Sequence, residues 1–327
     1  MLLLCILFIV SVWFCIDYPA SLEHNIEKEF HVSETKYGLL YSFFAVPNCF
    51  MPLIGGVFFD KFGIRTCLIA FTFIVCIGQG LLMIGGYKMS FNELIWGRII
   101  FGVGCEAMIV GQSAIASSWF LNFELSFAMS VIVCFPMLGS FMLGAIVPTV
   151  YEETHSFGYV FEIGFILTLA SLLISIVMAM MDKKAETVDK KMLVQVAEHE
   201  SEKFEWSDLQ NMPKAFWFTC LSCCFMQIAI NNSIVIGSSV MQIRYGFNEI
   251  AAGYLFPMPY VVAAFCSPFI GHFIDKVGYR NQISIIGSCC MIAAHAIQLF
   301  IPDCNQCAVS IAPLVLLGFA YATYAVA

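Results

Sequence analysis

A ten-residue pattern occurs twice in this chain. Gly56 to Arg65 reads GVFFDKFGIR, and 215 residues later Gly271 to Arg280 reads GHFIDKVGYR. Gly56, Asp60, Lys61, Gly63 and Arg65 therefore stand in register with Gly271, Asp275, Lys276, Gly278 and Arg280. Each copy sits in a short break between long apolar runs, so the chain reads as a doubled membrane protein. The residue types suit such a break. The apolar helix must end and reverse quickly, which a glycine allows. The Asp, Lys and Arg lie at the water boundary, where basic residues favour the cytoplasmic side. The early Gly56 is expected to let a neighbouring helix approach closely. One such turn would do no more than set topology; two in register point to a shared role.

Of 327 residues, 60% are hydrophobic and only 12% charged. A soluble domain carries roughly twice that charge fraction, so this is a multi-spanning membrane chain. The net charge is -8, and the basic residues are few and scattered. No basic cluster tracks with aromatics, which argues against nucleic-acid binding. Most of the 15 cysteines lie in or near apolar runs, where a thiol acts as a small hydrophobe. Cys304 and Cys307, in the polar loop PDCNQC, read as loop thiols or a local disulfide on an oxidising face. A structural zinc site needs four ligands, and no second pair faces them. No nucleophile–base pair or metal set is in view, so neither enzyme activity nor a cofactor is expected.

Apolar runs of about 20 residues, the length that crosses the hydrocarbon core, give ten spans. They cover residues 1–20, 36–59, 66–86, 93–117, 125–150, 159–181, 214–240, 250–274, 281–301 and 308–327. The first lacks a basic leader and a clear small-residue cleavage site, so it reads as a span and not as a signal peptide. The one long polar segment, 182–213, divides residues 1–181 from 214–327 and allows a short amphipathic helix on the membrane surface. Lys61, Arg65, Lys183, Lys184, Lys190, Lys191, Lys203, Lys214, Lys276 and Arg280 fall on one side. Only Lys28, Lys36, Lys88 and Arg244 fall on the other, so the first side is expected to be cytoplasmic.

Ionisable groups inside spans are costly, roughly 2.5–3.5 kcal/mol each at the centre on insertion scales, and are functional candidates by default. Arg98 and Glu106 lie in the fourth span, in GRIIFGVGCE. Their separation is about 12 Å along a helix, so a direct pair is not expected. Glu106 admits three readings: a proton carrier, a contact for a cationic substrate group, or a neutral hydrogen-bonded core residue. Arg98 is either a structural partner of another helix or a substrate contact. Tyr41, Asn48, Gln112, Asn231, Tyr254 and Tyr260, with Gln227 and Asn232, are candidates for lining a cavity, against simple bonding between helices. Pro257 and Pro259 break the eighth span and free carbonyls. Asp17 reads as an interfacial residue, and His295 as a satisfied core histidine.

The doubled turn and the Arg-plus-GxG run of the fourth span resemble the major facilitator superfamily. That resemblance implies an all-α fold of two six-helix halves, a midplane cavity and alternating access, with the two turns as a latch. On it, residues 214–327 supply four spans where six are expected, so the second half reads as truncated. FCIDYPASL, LLYSFFAVPN, VCIGQG, GRIIFGVGCE and SSWF resemble more narrowly that superfamily's lysosomal dipeptide transporter group. The narrower likeness implies a lysosomal or endosomal uniporter that exports small peptides or amino acids, and Glu106 as the contact for the peptide amino terminus. It departs at the fifth span: the group's arginine for the peptide carboxylate is replaced, counting without gaps from SSWF, by Met137. The fifth-span GPxxGG pattern of antiporters is also absent, so obligate exchange is not expected. Alternatives are a small carboxylate carrier anchored by Arg98, or a non-transporting membrane scaffold or sensor. Candidate partners are a small-molecule substrate, the lipid bilayer and a single-span accessory membrane protein.

Overall fold

In a computed structural model the described residues are 1–120, 125–192 and 212–326, and their regular structure is helical throughout. The first half comprises α1 (Leu2–Ile16), α2 (Glu34–Phe62), α3 (Ile64–Lys88) and α4 (Phe91–Trp119). It continues with α5, in two pieces (Leu125–Cys134 and Leu138–Thr154), and α6 (Phe157–Met192). The second half has α7 (Lys214–Val235 and Gly237–Ile243), α8 (Glu249–Leu255 and Met258–Val277), α9 (Arg280–Phe300) and α10 (Ile311–Val326). Among the described residues, eight helices are long and apolar enough to cross a membrane. The helices α1 and α10 are shorter and equally apolar. The expected spans are thus all present as helices. The expected end of the sixth at 181 is not observed, because α6 runs on into the polar segment through Met192. Of the amphipathic helix expected within 182–213, residues 193–211 lie outside the described residues.

The halves repeat in detail at α2 and α8. Each begins with a polar cap: Ser33 Oγ accepts from Lys36 N (3.4 Å), and Asn248 Oδ1 from Ala251 N (2.8 Å). Each ends at the second glycine of its motif, Gly63 at φ 81° and Gly278 at φ 86°. Glycine alone adopts that region without strain, which is why the chain can turn there. The early glycine acts otherwise than expected. A Cβ at Gly56 would meet nothing within 4 Å, and it is Gly55 that faces Ala107 of α4, at 3.3 Å.

Within the first half α3 packs on α4 and α6, α2 on α4, and α1 on α5 and α6. In the second half α10 packs on α8 and α9. The halves meet chiefly where α8 lies along α5. On the side opposite the motif turns, the far side, Gly144 of α5 meets Gly253 of α8. A Cβ on Gly253 would stand 2.5 Å from Gly144 O, and one on Gly144 closer still to Gly253 O. Each glycine is followed four residues on by a proline, Pro148 and Pro257. Proline has no N–H, so both glycine carbonyls lack their helical donor. Each faces the other glycine's backbone, the arrangement of paired Cα–H···O contacts. Ser239 of α7 also donates to Glu23 on this side. Nearby, Cys304 and Cys307 form a disulfide, and Arg244 binds Asp303 (2.9 Å) and the carbonyls of Gln298 and Ile301.

Candidate functional site

The site starts from a broken helix. Pro19 has no N–H to give the carbonyl of Cys15, and α1 stops at Asp17 before a short helical turn, Tyr18–Ser21. Arg98, on α4 and 2% exposed, supplies the missing donors. Its Nη1 donates to Cys15 O (3.2 Å) and its Nη2 to Ile16 O (3.0 Å). The guanidinium also lies over the Phe44 ring, 5.7 Å from its centroid. Arg98 thus fastens α4 to the break in α1. Asp17, placed by sequence at an interface, is only 4% exposed, and its Oδ2 has no hydrogen-bond partner. An Asp two residues before a proline near the end of an apolar run was the available signal.

Around this break the halves meet through aromatic rings. Trp13 of α1 packs edge-on against Tyr260 of α8 at 5.5 Å, and Tyr260 packs against Tyr321 of α10 at 6.0 Å. Tyr41 and Tyr37 of α2 form another edge pair at 5.9 Å. Glu106, two turns along α4 from Arg98, is half-buried. Tyr321 is its electrostatic neighbour and also hydrogen-bonds Gln227 of α7. Glu106 of α4 is thus within electrostatic range of Tyr321 of α10, which in turn contacts Gln227 of α7.

The other candidates separate. Gln112 is buried and donates to Cys5 O (2.6 Å) and Ile132 O (3.2 Å), tying α4 to α1 and α5. Asn48 is half-buried with its Oδ1 unpartnered. Asn231 is exposed, and Tyr254 is 43% exposed against Phe141. His295 is not satisfied as expected: its buried Nε2 has no partner, and it borders an open groove of about 780 Å³ between α7 and α9. In the short helix Glu23–Glu29 before α2, Glu27 Oε1 is buried and unpartnered. Burial, then the charges of Glu23 and Glu34, push its carboxyl above the usual glutamate value. That short helix is therefore more stable below the shifted value and loses stability as pH rises from the ordinary value through it.

The motif turns hold charge at the other end. Arg65 binds Asp182 Oδ2 (2.5 Å) and Glu186 Oε2 (2.7 Å) of α6, and Trp119 Nε1 donates to Asp182 Oδ1 (2.7 Å). Asp60 and Lys61 are exposed, with Lys61 over the Phe62 ring. In the second turn Asp275 Oδ2 accepts from the backbone N–H of Phe127 (3.2 Å), in the first turn of α5. Gly271 is buried and Lys276 exposed, while the side chain of Arg280 lies outside the described residues.

Two helical halves, matched charged turns and polar groups gathered between them define a multi-pass membrane transporter. The chain matches the Major Facilitator Superfamily over residues 2–327 and belongs to that family. It is similar to the lysosomal dipeptide transporter MFSD1 of Homo sapiens, with 29% identity over 308 residues, 91% of this chain and 64% of that protein. The Mus musculus protein of the same name is 28% identical over 328 residues, 96% of this chain and 68% of its own. The chain thus spans about two-thirds of these relatives' length. A probable sulfoacetate transporter, SauU of Cupriavidus necator, is 29% identical over 125 residues, 38% of this chain and 27% of that one. The crystal structure of the transporter FucP in its outward conformation shares the fold, with a TM-score of 0.67 at 16% identity. That match covers 98% of this chain and 82% of FucP.

Proposed function

We propose that this protein carries small peptides or amino acids across a lysosomal or endosomal-type membrane by alternating access. The observation that carries the reading is Glu106, a half-buried carboxylate of α4 within electrostatic range of Tyr321 in the other half. A carboxylate in that setting attracts a substrate ammonium group, and Tyr321 offers a hydroxyl from the other half. The names of the MFSD1 relatives support the substrate class and the organelle. The two halves rock about this site. The motif turns act as the latch, and their basic residues set that side toward the cytoplasm.

Uptake of labelled dipeptides and single amino acids into proteoliposomes, at about pH 5 and about pH 7 to span the carboxyl range, tests the reading. Saturable uptake that Glu106→Gln abolishes is the expected result. Uptake unchanged by the substitution removes Glu106 from the site. A folded protein that moves neither class defeats the peptide reading and leaves the carboxylate carrier or a scaffold or sensor. A carrier of small carboxylates is a second reading, favoured by the partial likeness to SauU. It would use Arg98, whose donors already serve Cys15 and Ile16.

A further inference from the structure

Cys304 and Cys307 close a short ring, at a sequence separation of 3, in the loop between α9 and α10. The other cysteines all lie within helices. Both paired cysteines are partly exposed, so small molecules in water can reach them. So short a ring adds little as a staple, because the entropy that a disulfide removes from the unfolded chain grows with the loop it closes. An accessible Cys-x-x-Cys pair is also the spacing at which thiol and disulfide forms interconvert.

What the ring holds is a docking contact. Gln306, inside it, has φ 52°, a left-handed conformation that is costly for a residue with a Cβ. So placed, its N–H donates to Tyr245 O (2.7 Å) in the turn between α7 and α8. Asn305 covers Gly246, where a Cβ would stand 2.5 Å from Asn305 Oδ1. Asp303 takes Arg244. The loop thus grips residues 244–246 one after another. From there the chain runs back to Ser239, which donates to Glu23, and on to Gly253, which lies against Gly144. Both are far-side contacts between the halves, so a single loop braces the segment that carries them.

We propose that Cys304 and Cys307 form a reversible thiol–disulfide switch worked by small thiols on the far side, and that the disulfide form braces that side shut. A small thiolate attacks one Sγ, the S–S bond breaks, a mixed disulfide forms and the other Sγ leaves. A second thiolate attacks the outer sulfur of the mixed disulfide and frees the second Sγ. Each attacking thiol gives up to water the proton that a leaving Sγ takes from it. Two electrons pass from the two small thiols to the pair, leaving a dithiol and one small disulfide. A small disulfide reverses the exchange. In the dithiol form nothing encloses Gln306, its backbone leaves the left-handed region and its N–H leaves Tyr245 O. The grip on residues 244–246 loosens, and the halves part more readily on this side. The switch goes beyond the transport reading. It takes from that reading only that the halves move against each other and that the motif side faces the cytoplasm, since a disulfide persists on the opposite face.

The experiment uses the complete reading frame in lipid nanodiscs, equilibrated with glutathione buffers from fully oxidised to fully reduced. Differential alkylation, read by mass spectrometry, follows the peptide that holds Cys304 and Cys307. Complete and reversible conversion across the series is expected. A pair that stays oxidised in reduced glutathione is a staple, and one that stays reduced in oxidised glutathione forms no disulfide; either result overturns the proposal. Amide hydrogen exchange reads the brace. Residues 237–253 are expected to exchange about fivefold faster in the dithiol form, the worth of releasing one left-handed residue. Exchange at the motif turns, 56–65 and 271–280, should not change. Equal exchange of 237–253 in the two forms overturns the brace, and so does an acceleration spread over the whole chain. Joint Cys304→Ser and Cys307→Ser substitution should exchange like the dithiol form in every buffer. Should that variant not fold, Gln306→Gly takes its place. Glycine keeps the left-handed turn without strain, so reduction should still convert the pair but quicken 237–253 by less than about twofold. Undiminished acceleration in Gln306→Gly counts against the proposal. Counterflow of labelled alanyl-alanine by the same protein reports on transport separately. Its absence in both forms defeats the transport reading and leaves the switch to be decided by exchange alone.

Discussion

The first motif turn keeps its charges within its own half, whereas the second sends one across. Arg65 closes on Asp182 and Glu186 of α6, and Asp60 stands exposed. Asp275, the residue in register with Asp60, reaches the N-terminal turn of α5 in the opposite half. Both turns end at a glycine of nearly equal φ but leave it differently: ψ is 145° at Gly63 and -110° at Gly278, and Tyr279 adds a left-handed residue to the second turn. The surface opposite differs too: two carboxylates of α6 for Arg65, the backbone N–H of Phe127 for Asp275. A repeated motif therefore fixes a turn and a set of charges, and the neighbouring helix decides whether those charges build one half or join two.

Substitutions can separate these roles. Arg65→Met should have the largest effect on stability, about 1–2 kcal/mol, because it removes two ion pairs of a partly buried network. A thermal melt in detergent would register it as a lower midpoint, with uptake falling in proportion to folded protein. Asp275→Asn should cost less, about 0.5–1 kcal/mol, the worth of a carboxylate at a helix N-terminus. Its effect should fall on the contact between halves and not on folding. Cys134 of α5, which bonds Ser267 of α8, reports on that contact. Its labelling by a permeant maleimide, read by mass spectrometry, should quicken by about two- to fivefold. Asp60→Asn should be the smallest change, below about 0.5 kcal/mol, with Cys134 labelling unaltered. Equal effects of Asp60→Asn and Asp275→Asn on Cys134 would break the comparison.

Much of the fold was legible because a bilayer imposes one length on every apolar run, and the polar segment after 181 marked the middle of the chain. Pro257 was legible as a break, since a missing N–H acts wherever proline stands. The extension of α6 was not, because hydropathy ends where the lipid ends and the hydrogen-bonded backbone continues. Asp17 was misjudged for a related reason. Its place near the end of the first run suggested water, and only three-dimensional packing of α4, α5 and α8 around it removes that water. The fourth-span pair was partly legible: two ionisable groups two turns apart were visible, but not that Pro19 sets the role of Arg98. The partners of Asp275 and Gly144 were not legible, since each lies more than a hundred residues away and no local spacing encodes them.

The meeting of Gly144 and Gly253 also bears on water. In the closed arrangement the two carbonyls freed by Pro148 and Pro257 have only weak Cα–H donors, and a carbonyl so placed forgoes about 1–3 kcal/mol of hydrogen bonding. Parting of the helices exposes both oxygens to solvent, which satisfies them at once. Opening on this side is therefore a hydration reaction as much as a movement of helices. Its equilibrium answers to the activity of water, so that excluded osmolytes hold this side shut and dilute solution lets it open.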